Sequence, residues 1–333
     1  MVMIAKAGYA EGLTCRAAGL TLVELMVSMV IGMFVVLAAT ALVVAGKSAY
    51  VTQDEDARME ETGRYALDLI ARAVRQTAYE NWDSDGGAIQ ASQTASPNIR
   101  GLDARTLKES TEGIDGALKS PVNGSDVLSL RFFGAGVGEH GDGSMLNCAG
   151  FGIPEHAPNS APDDGRGWSI FYVAKESTGE PALYCKYRGA KSFATAAIAS
   201  GVESFQVLYG MDIDGDGLPN RYVTATEVDA FDDALVPTGA DETARALDRN
   251  RKSWWKKIVA LKVALLLRGG QGSGRAGGPV QFDLFGKDYG EAHARSDTGT
   301  RIRVEDLPGG GNRLRKIFSQ IIWLHNRAAG GAR

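Results

Sequence analysis

Residues 19–44 read Gly-Leu-Thr-Leu-Val-Glu-Leu-Met-Val-Ser-Met-Val-Ile-Gly-Met-Phe-Val-Val-Leu-Ala-Ala-Thr-Ala-Leu-Val-Val. The 25 residues from Leu20 to Val44 carry one charge, Glu24. At about 1.5 Å per residue, a helix of that length crosses a hydrocarbon core of about 30 Å with some tilt. The single carboxylate stands at the start of the run, five residues after Gly19. A charge within a membrane costs a few kcal/mol unless it is paired or lies near the interface. One reading is an ordinary anchor with Glu24 at the headgroups. The residues before the run point to another.

Lys6 and Arg16 outweigh Glu11, so the first 19 residues carry a small positive charge. They end in Gly19, ahead of the apolar run. A secretory signal has its small-residue cleavage site after that run. Here Val44-Ala45-Gly46 is a poor imitation of such a site. The stretch Gly19-Leu20-Thr21-Leu22-Val23-Glu24 resembles the type IV prepilin processing motif. The resemblance implies that a prepilin peptidase cuts after Gly19 on the cytoplasmic side and that the new Leu20 amine is methylated. It also implies that Glu24 pairs with the amino terminus of a neighbouring subunit in a fibre. Leu20 departs mildly from the family, in which Phe is commonest at the first mature position.

After Val44 the helical pattern continues. Residues 45–79 lack Pro and are rich in Ala, Glu, Arg and Leu, which favour helix. Ala66, Leu69, Ile70, Ala73, Val74 and Thr77 recur at helical spacing and form one apolar stripe. The expectation is one helix over residues 20–80, about 90 Å long, apolar all round in its first half and amphipathic in its second. Gly32, Gly46 and Gly63 read as weak points in it. Turn residues at 81–87 end it. Strand patterns follow at 127–133, 168–174, 182–187, 202–211, 254–267, 280–285 and 313–327, with 221–228 as the partner of 202–211. Residues 229–253 are charged and can hold a short helix. The fold class is α+β: a type IV pilin-like long N-terminal helix, then a C-terminal antiparallel sheet domain. The expected parts are a leader at 1–19, a membrane half of the helix at 20–44, an amphipathic half at 45–80 and a globular β-rich domain at 81–333.

The resemblance extends beyond the processing motif. Gly63-Arg64-Tyr65-Ala66, Ser125-Asp126-Val127-Leu128-Ser129-Leu130-Arg131, Tyr209-Gly210-Met211-Asp212, Arg315-Lys316-Ile317-Phe318 and His325-Asn326-Arg327 are similar to stretches of the PilW-type minor pilins. The minor pseudopilin of type II secretion, GspJ, is the nearest rival. It shares the helix and the Gly-Arg-Tyr-Ala-like region but is shorter. A minor pilin implies other minor pilins, the major pilin and the prepilin peptidase/N-methyltransferase as partners. It implies an inner-membrane location with the β domain in the periplasm, then a place in the pilus.

Composition agrees with that class. The 333-residue chain has a net charge of -4, too little positive charge to indicate nucleic-acid binding. Of three cysteines, Cys15 would leave with the leader. In an exported chain Cys148 and Cys185 read as one disulfide, the alternative being two buried thiols. Asp212, Asp214 and Asp216, followed by Gly217 and by Asn220, match the first half of an EF-hand-type calcium loop. Val223 stands where the bidentate Glu would be. A looser calcium loop is one reading, with Glu227 or Asp229 as a further ligand; an Asp/Gly turn without metal is the other.

Signals for catalysis are poor. His140, His156, His293 and His325 have no metal-ligand spacing, and neither a nucleophile elbow nor a phosphate-binding loop appears. The Gly-rich stretch 269–278 reads as a loop. Trp254-Trp255 reads as the entry of a strand into the core, with a ligand platform as the alternative. The expectation is a structural subunit that helps initiate or assemble a pilus near its tip, not an enzyme. A secretion pseudopilin or an anchored adhesive module, with ligand-binding loops at 134–167 and 229–253, are the alternatives.

Overall fold

A computed structural model describes residues 19, 21–77, 95–157, 160–161, 163–189, 191–274, 278–308 and 310–324. The chain divides into two compact units, Met1–Val51 and Thr52–Arg333. A single helix, α1 (Leu22–Gln76, 55 residues), contributes to both.

In the first unit the helix is apolar on every side. Leu22, Phe34 and Val44 are each more than 60% exposed, as are most of the large side chains between them. No polar face exists to set against water. The segment is long and apolar enough to cross a membrane.

In the second unit the helix is amphipathic, as its sequence predicts. Ala66, Leu67, Ile70, Ala71, Ala73, Val74 and Thr77 are buried, while Arg64, Asp68, Arg72 and Arg75 are exposed. Leu69, expected on the stripe, is half-buried at its margin.

Two antiparallel sheets share the core with this half of α1. The first is a meander of β1 (Ile99–Leu102), β2 (Val127–Phe132), β3 (Gly167–Lys175), β4 (Pro181–Arg188) and β5 (Phe193–Ser200), each paired with the next. The second contains β6 (Val202–Met211), β7 (Arg221–Val223), β8 (Ile258–Arg268) and β11 (Arg315–Trp323), in the order β11-β8-β6-β7. Leu128, Leu130, Phe171, Val173 and Leu183 of the first sheet meet Phe205, Val207, Leu261, Val263, Leu265 and Phe318 of the second in one cluster with α1. The short hairpin of β9 (Gln281–Asp283) and β10 (Arg301–Arg303) lies on the other face of the second sheet. Its Phe282, Leu284 and Ile302 cover Leu208, Ala264 and Leu266. This cover explains why β6 is buried along both faces although its sequence alternates.

Several expectations need correction. The strand expected over 221–228 ends at Val223. Thr224 caps a helix instead, α2 (Ala225–Asp233): its hydroxyl accepts from Glu227 N and the Glu227 carboxylate accepts from Thr224 N. This capping box ends any strand there. A second helix, α3 (Glu242–Lys252), fills much of the charged stretch expected to hold one. Trp254–Lys257 form a 3-10 turn ahead of β8 rather than its first residues. Alanine-rich β5 and the four-residue β1 carry no clear strand pattern in sequence and exist through their ladders to β4 and β2. A short helix, α4 (Lys287–His293), links β9 to β10. The expected turn at 81–87 lies outside the described residues.

Candidate functional site

At the amino-terminal end of α1, Thr21 and Glu24 form a second capping box. The Glu24 carboxylate accepts from Thr21 N and from the Thr21 hydroxyl, both at 3.0 Å, and Glu24 N donates to the Thr21 hydroxyl oxygen at 3.3 Å. This Thr-x-x-Glu arrangement, not singled out in the sequence analysis, supplies partners for N–H groups that a helix start leaves unpaired. The carboxylate is exposed, and so is Gly19. Leu20 lies outside the described residues. The arrangement therefore presents an accessible glycine, an exposed carboxylate and a long apolar helix in direct succession.

The second unit shows what the other quoted stretches do. Gly63 sits under the Phe318 ring: a Cβ built on Gly63 would lie 2.6 Å from Phe318 Cγ. The glycine read as a weak point is where helix and sheet approach closely. Ser125 and Asp126 join the two sheets. Asp126 Oδ1 accepts from Ala104 N and its Oδ2 from Val207 N, both at 3.0 Å, while Asp126 N donates to Phe205 O at 2.8 Å. Burial, then the nearby Asp103 charge, pushes this carboxyl well above its ordinary range. The Tyr209 hydroxyl lies against Gly101, leaving no room there for a side chain.

Arg315 belongs to a buried ion cluster. Its Nε meets Glu203 Oε2 at 2.6 Å, and Arg268 Nη1 meets Glu203 Oε1 at 3.1 Å. Arg268 also pairs with Glu180, which Arg313 reaches at 3.4 Å. The cluster links β6, β8 and β11 to the β3–β4 turn. Nothing in local sequence pattern could have paired these residues. Lys316, next along, reaches Asp56 at 3.4 Å and Glu60, both on α1.

Cys148 and Cys185 are disulfide-bonded, with Cα atoms 5.9 Å apart. Both are buried. The bond holds the 134–157 loop to β4. In the chain-entropy account a loop of this size is worth roughly 3–4 kcal/mol.

Asp212, Asp214 and Asp216 converge, with one carboxylate oxygen of each within 4.8 Å of the others. They also organise the turn between β6 and β7. Asp212 accepts from Gly215 N at 2.6 Å and from Gly217 N at 3.0 Å; Asp216 accepts from Leu218 N at 2.7 Å. Asn220 donates to Asp214 at 3.0 Å and accepts from Ile213 N at 2.5 Å. Such side-chain-to-backbone bonds form an Asx-type turn without any ion. The further ligands considered from sequence are engaged elsewhere: Glu227 in its capping box and Asp229 with Trp255 Nε1 at 2.8 Å.

Both tryptophans make packing contacts. Trp255 is buried against Tyr209, and Trp254 packs on Phe231 and under Lys257. His156 Nε2 lies 3.2 Å from the Ser160 hydroxyl, but that hydroxyl donates to Ala157 O at 2.6 Å and the His156 Nδ1 faces a backbone carbonyl, Asp164 O. His293 stacks on Tyr289. His140 has no metal-ligand grouping among the described residues. His325 lies outside them.

An apolar helix with a capped, glycine-preceded start, joined to an antiparallel β unit, defines a type IV pilin-like protein. Comparison with known families agrees. Residues 15–40 match the prokaryotic N-terminal methylation motif, and residues 170–326, from β3 to beyond β11, match the family described as type IV pilus-assembly protein W, PilW. These two matches fit a PilW-type pilin with a prepilin-type motif. Comparison with curated proteins and with solved structures found no match.

Proposed function

We propose that the protein is a minor pilin, a structural subunit that initiates or assembles type IV pili and sits near the pilus tip. The observation that carries the reading is the succession of Gly19, Glu24 and an all-round apolar helix ahead of a PilW region. Residues 1–19 act as a leader that the prepilin peptidase/N-methyltransferase removes after Gly19. Residues 20–44 hold the subunit in the inner membrane and later line the fibre. The amphipathic half of the helix, 45–80, carries the globular domain, 81–333, in the periplasm.

Assembly, not catalysis, is the mechanism. Cleavage frees the Leu20 amine. In a bundle of apolar helices an unpaired charge is costly, so the Glu24 carboxylate and a neighbour's amine stabilise each other only when subunits are in register. Glu24 gives up its Thr21 contacts or shares them when that amine arrives. Other minor pilins and the major pilin supply the neighbours.

Deletion of the gene tests the reading. A strain lacking the chain is expected to lose surface pili while still making the major pilin, and the intact gene restores them. Normal piliation with a loss of protein secretion would assign the chain to a secretion pseudopilus instead.

A further inference from the structure

Glu55, Arg58, Met59 and Thr62 are spaced i, i+3, i+4 and i+7, so one face of α1 carries all four. That face forms one wall of an open cleft of about 400 Å³. The end of β8, the glycines that follow it and the Gly201 turn form most of the rest. Pockets for small ligands begin at about 300 Å³. Every lining residue belongs to the second unit.

Charge sets what the cleft can hold. Three guanidinium groups line it, Arg58, Arg268 and Arg313, against two carboxylates, Glu55 and Glu180. Glu55 is committed to the loop after β8: its Oε2 accepts from Gly270 N at 2.9 Å. Glu180 lies between two of the cations. Its Oε2 accepts from Arg268 Nη2, and Arg313 Nη2 reaches its Oε1 at 3.4 Å. The Arg268 hydrogen bond holds this carboxyl below its ordinary range. The Glu180 side chain is nevertheless 42% exposed and projects from the β3–β4 turn. Arg268 is 5% exposed and is fixed from its other side by Glu203 at 3.1 Å. The cations are therefore the fixed part of the pair and the carboxylate the movable one. Two donors remain unspent. Arg268 Nε is buried with no acceptor. The ion pairs of this part of α1 join Glu60 to Arg64 and join Asp56 and Glu60 to Lys316; exposed Arg58 has none among the described residues.

We propose that this cleft binds a small molecule bearing two oxyanion groups. One group takes the place of the Glu180 carboxylate between Arg268 and Arg313, and the other pairs with Arg58 on the helix wall. Carboxylate and phosphate both fit, because a guanidinium presents its donors as a planar fork that either can accept. Glu180 is a tethered competitor that occupies the cleft in the unliganded chain.

The full chain, in a neutral detergent at low salt, is titrated in a calorimeter with citrate, with pyrophosphate and with acetate. Citrate or pyrophosphate is expected to bind at one site per chain, and whichever binds more tightly gives the chemistry of the oxyanions. Acetate, with a single carboxylate, is expected to give no measurable binding. Arg58→Gln is expected to weaken binding at least about tenfold, the loss of one hydrogen bond between charged groups. Glu180→Gln keeps an oxygen for the two arginines but removes the competing charge, and is expected to tighten binding. A purely structural ion pair would give no such gain. Arg245→Gln, at an exposed position of α3, serves as the control and should change nothing. Melting temperatures check that each variant folds. Should Glu180→Gln fail to fold, the parent and Arg58→Gln still decide the question. No saturable binding of citrate or pyrophosphate to the parent overturns the proposal, as does binding that Arg58→Gln leaves unchanged. Piliation plays no part in the readout, so failure here leaves the pilin reading untouched.

Discussion

Thr21 and Glu24 hold each other at the start of α1 through three hydrogen bonds between 3.0 and 3.3 Å. One carboxylate thus has a local task in the single chain and, in the proposed function, an intermolecular one in the fibre. The two tasks separate by mutation. Glu24→Gln keeps an oxygen that accepts from Thr21, since Gln also serves in a capping box, but removes the charge. Thr21→Ala does the reverse, at a cost of about 0.5–2 kcal/mol to the helix start. Thr21→Ala is expected to piliate and Glu24→Gln to fail, with both chains made, inserted and processed. Counting surface pili for each variant in a deletion strain checks this. Equal piliation by the two would leave Glu24 as a cap alone.

Gly63→Ala is expected to destabilise the second unit. Ala is the better helix former by about 1 kcal/mol. A Cβ 2.6 Å from the Phe318 ring outweighs that gain, because overpacking a filled core costs about 1–3 kcal/mol. Phe318→Leu in the same chain should recover part of the loss by making room. Thermal melts of the full chain in detergent, for the two single variants and the double, measure the coupling. Stabilisation by Gly63→Ala alone would mean that helix and sheet are not so close.

Much of this was legible in the sequence, and the exceptions are instructive. The apolar run, the amphipathic stripe at 66–77 and the alternation in β6 and β8 are periodic signals, and each yields its element. β5 is not legible, because alanine has no preference for a strand and only the ladder to β4 makes it one. The helix start at Thr224 was legible through Thr-x-x-Glu but was masked by the strand pattern of Arg221–Val223. The Glu203–Arg268–Arg315 cluster joins residues far apart in sequence, and no local rule links them. At the amino terminus Gly19 and Glu24 stand out by position in the sequence, whereas the Thr21 contact needed the structure to give it distances.

Acid should stabilise the second unit through Asp297. This buried carboxyl accepts from the Tyr289 hydroxyl at 2.9 Å and is pushed up from its ordinary 3.8 to about 6, by burial first. A raised carboxyl favours its neutral form in the folded chain. Its contribution is fully present below about 3.8 and is lost as pH rises through about 6. Asp297→Asn keeps an acceptor for Tyr289 without the charge. It is expected to raise stability at pH 7–8 by on the order of 2–3 kcal/mol and to lose that advantage near pH 4. Denaturant unfolding at several pH values reads it, and a variant less stable than the parent at pH 8 would contradict the assignment.

The Asp212 turn is expected to stand on its own hydrogen bonds. Asp212→Ala leaves Gly215 N and Gly217 N without their acceptor and should cost about 1–3 kcal/mol in chelator. The parent should melt at the same temperature with chelator and with calcium. A calcium-dependent rise that Asp214→Ala removes would instead make the three converging carboxylates a cation site, since an ion bound to the folded state raises its stability by mass action.

The amino terminus of the chain in assembled fibres tests the central claim most directly. Pili sheared from the cell surface are digested, and the most N-terminal peptide of this chain is sequenced by mass spectrometry. Processing after Gly19 and incorporation predict a peptide that begins at Leu20 and carries an N-methyl group. Recovery of the uncut chain beginning at Met1 from those fibres would contradict the account.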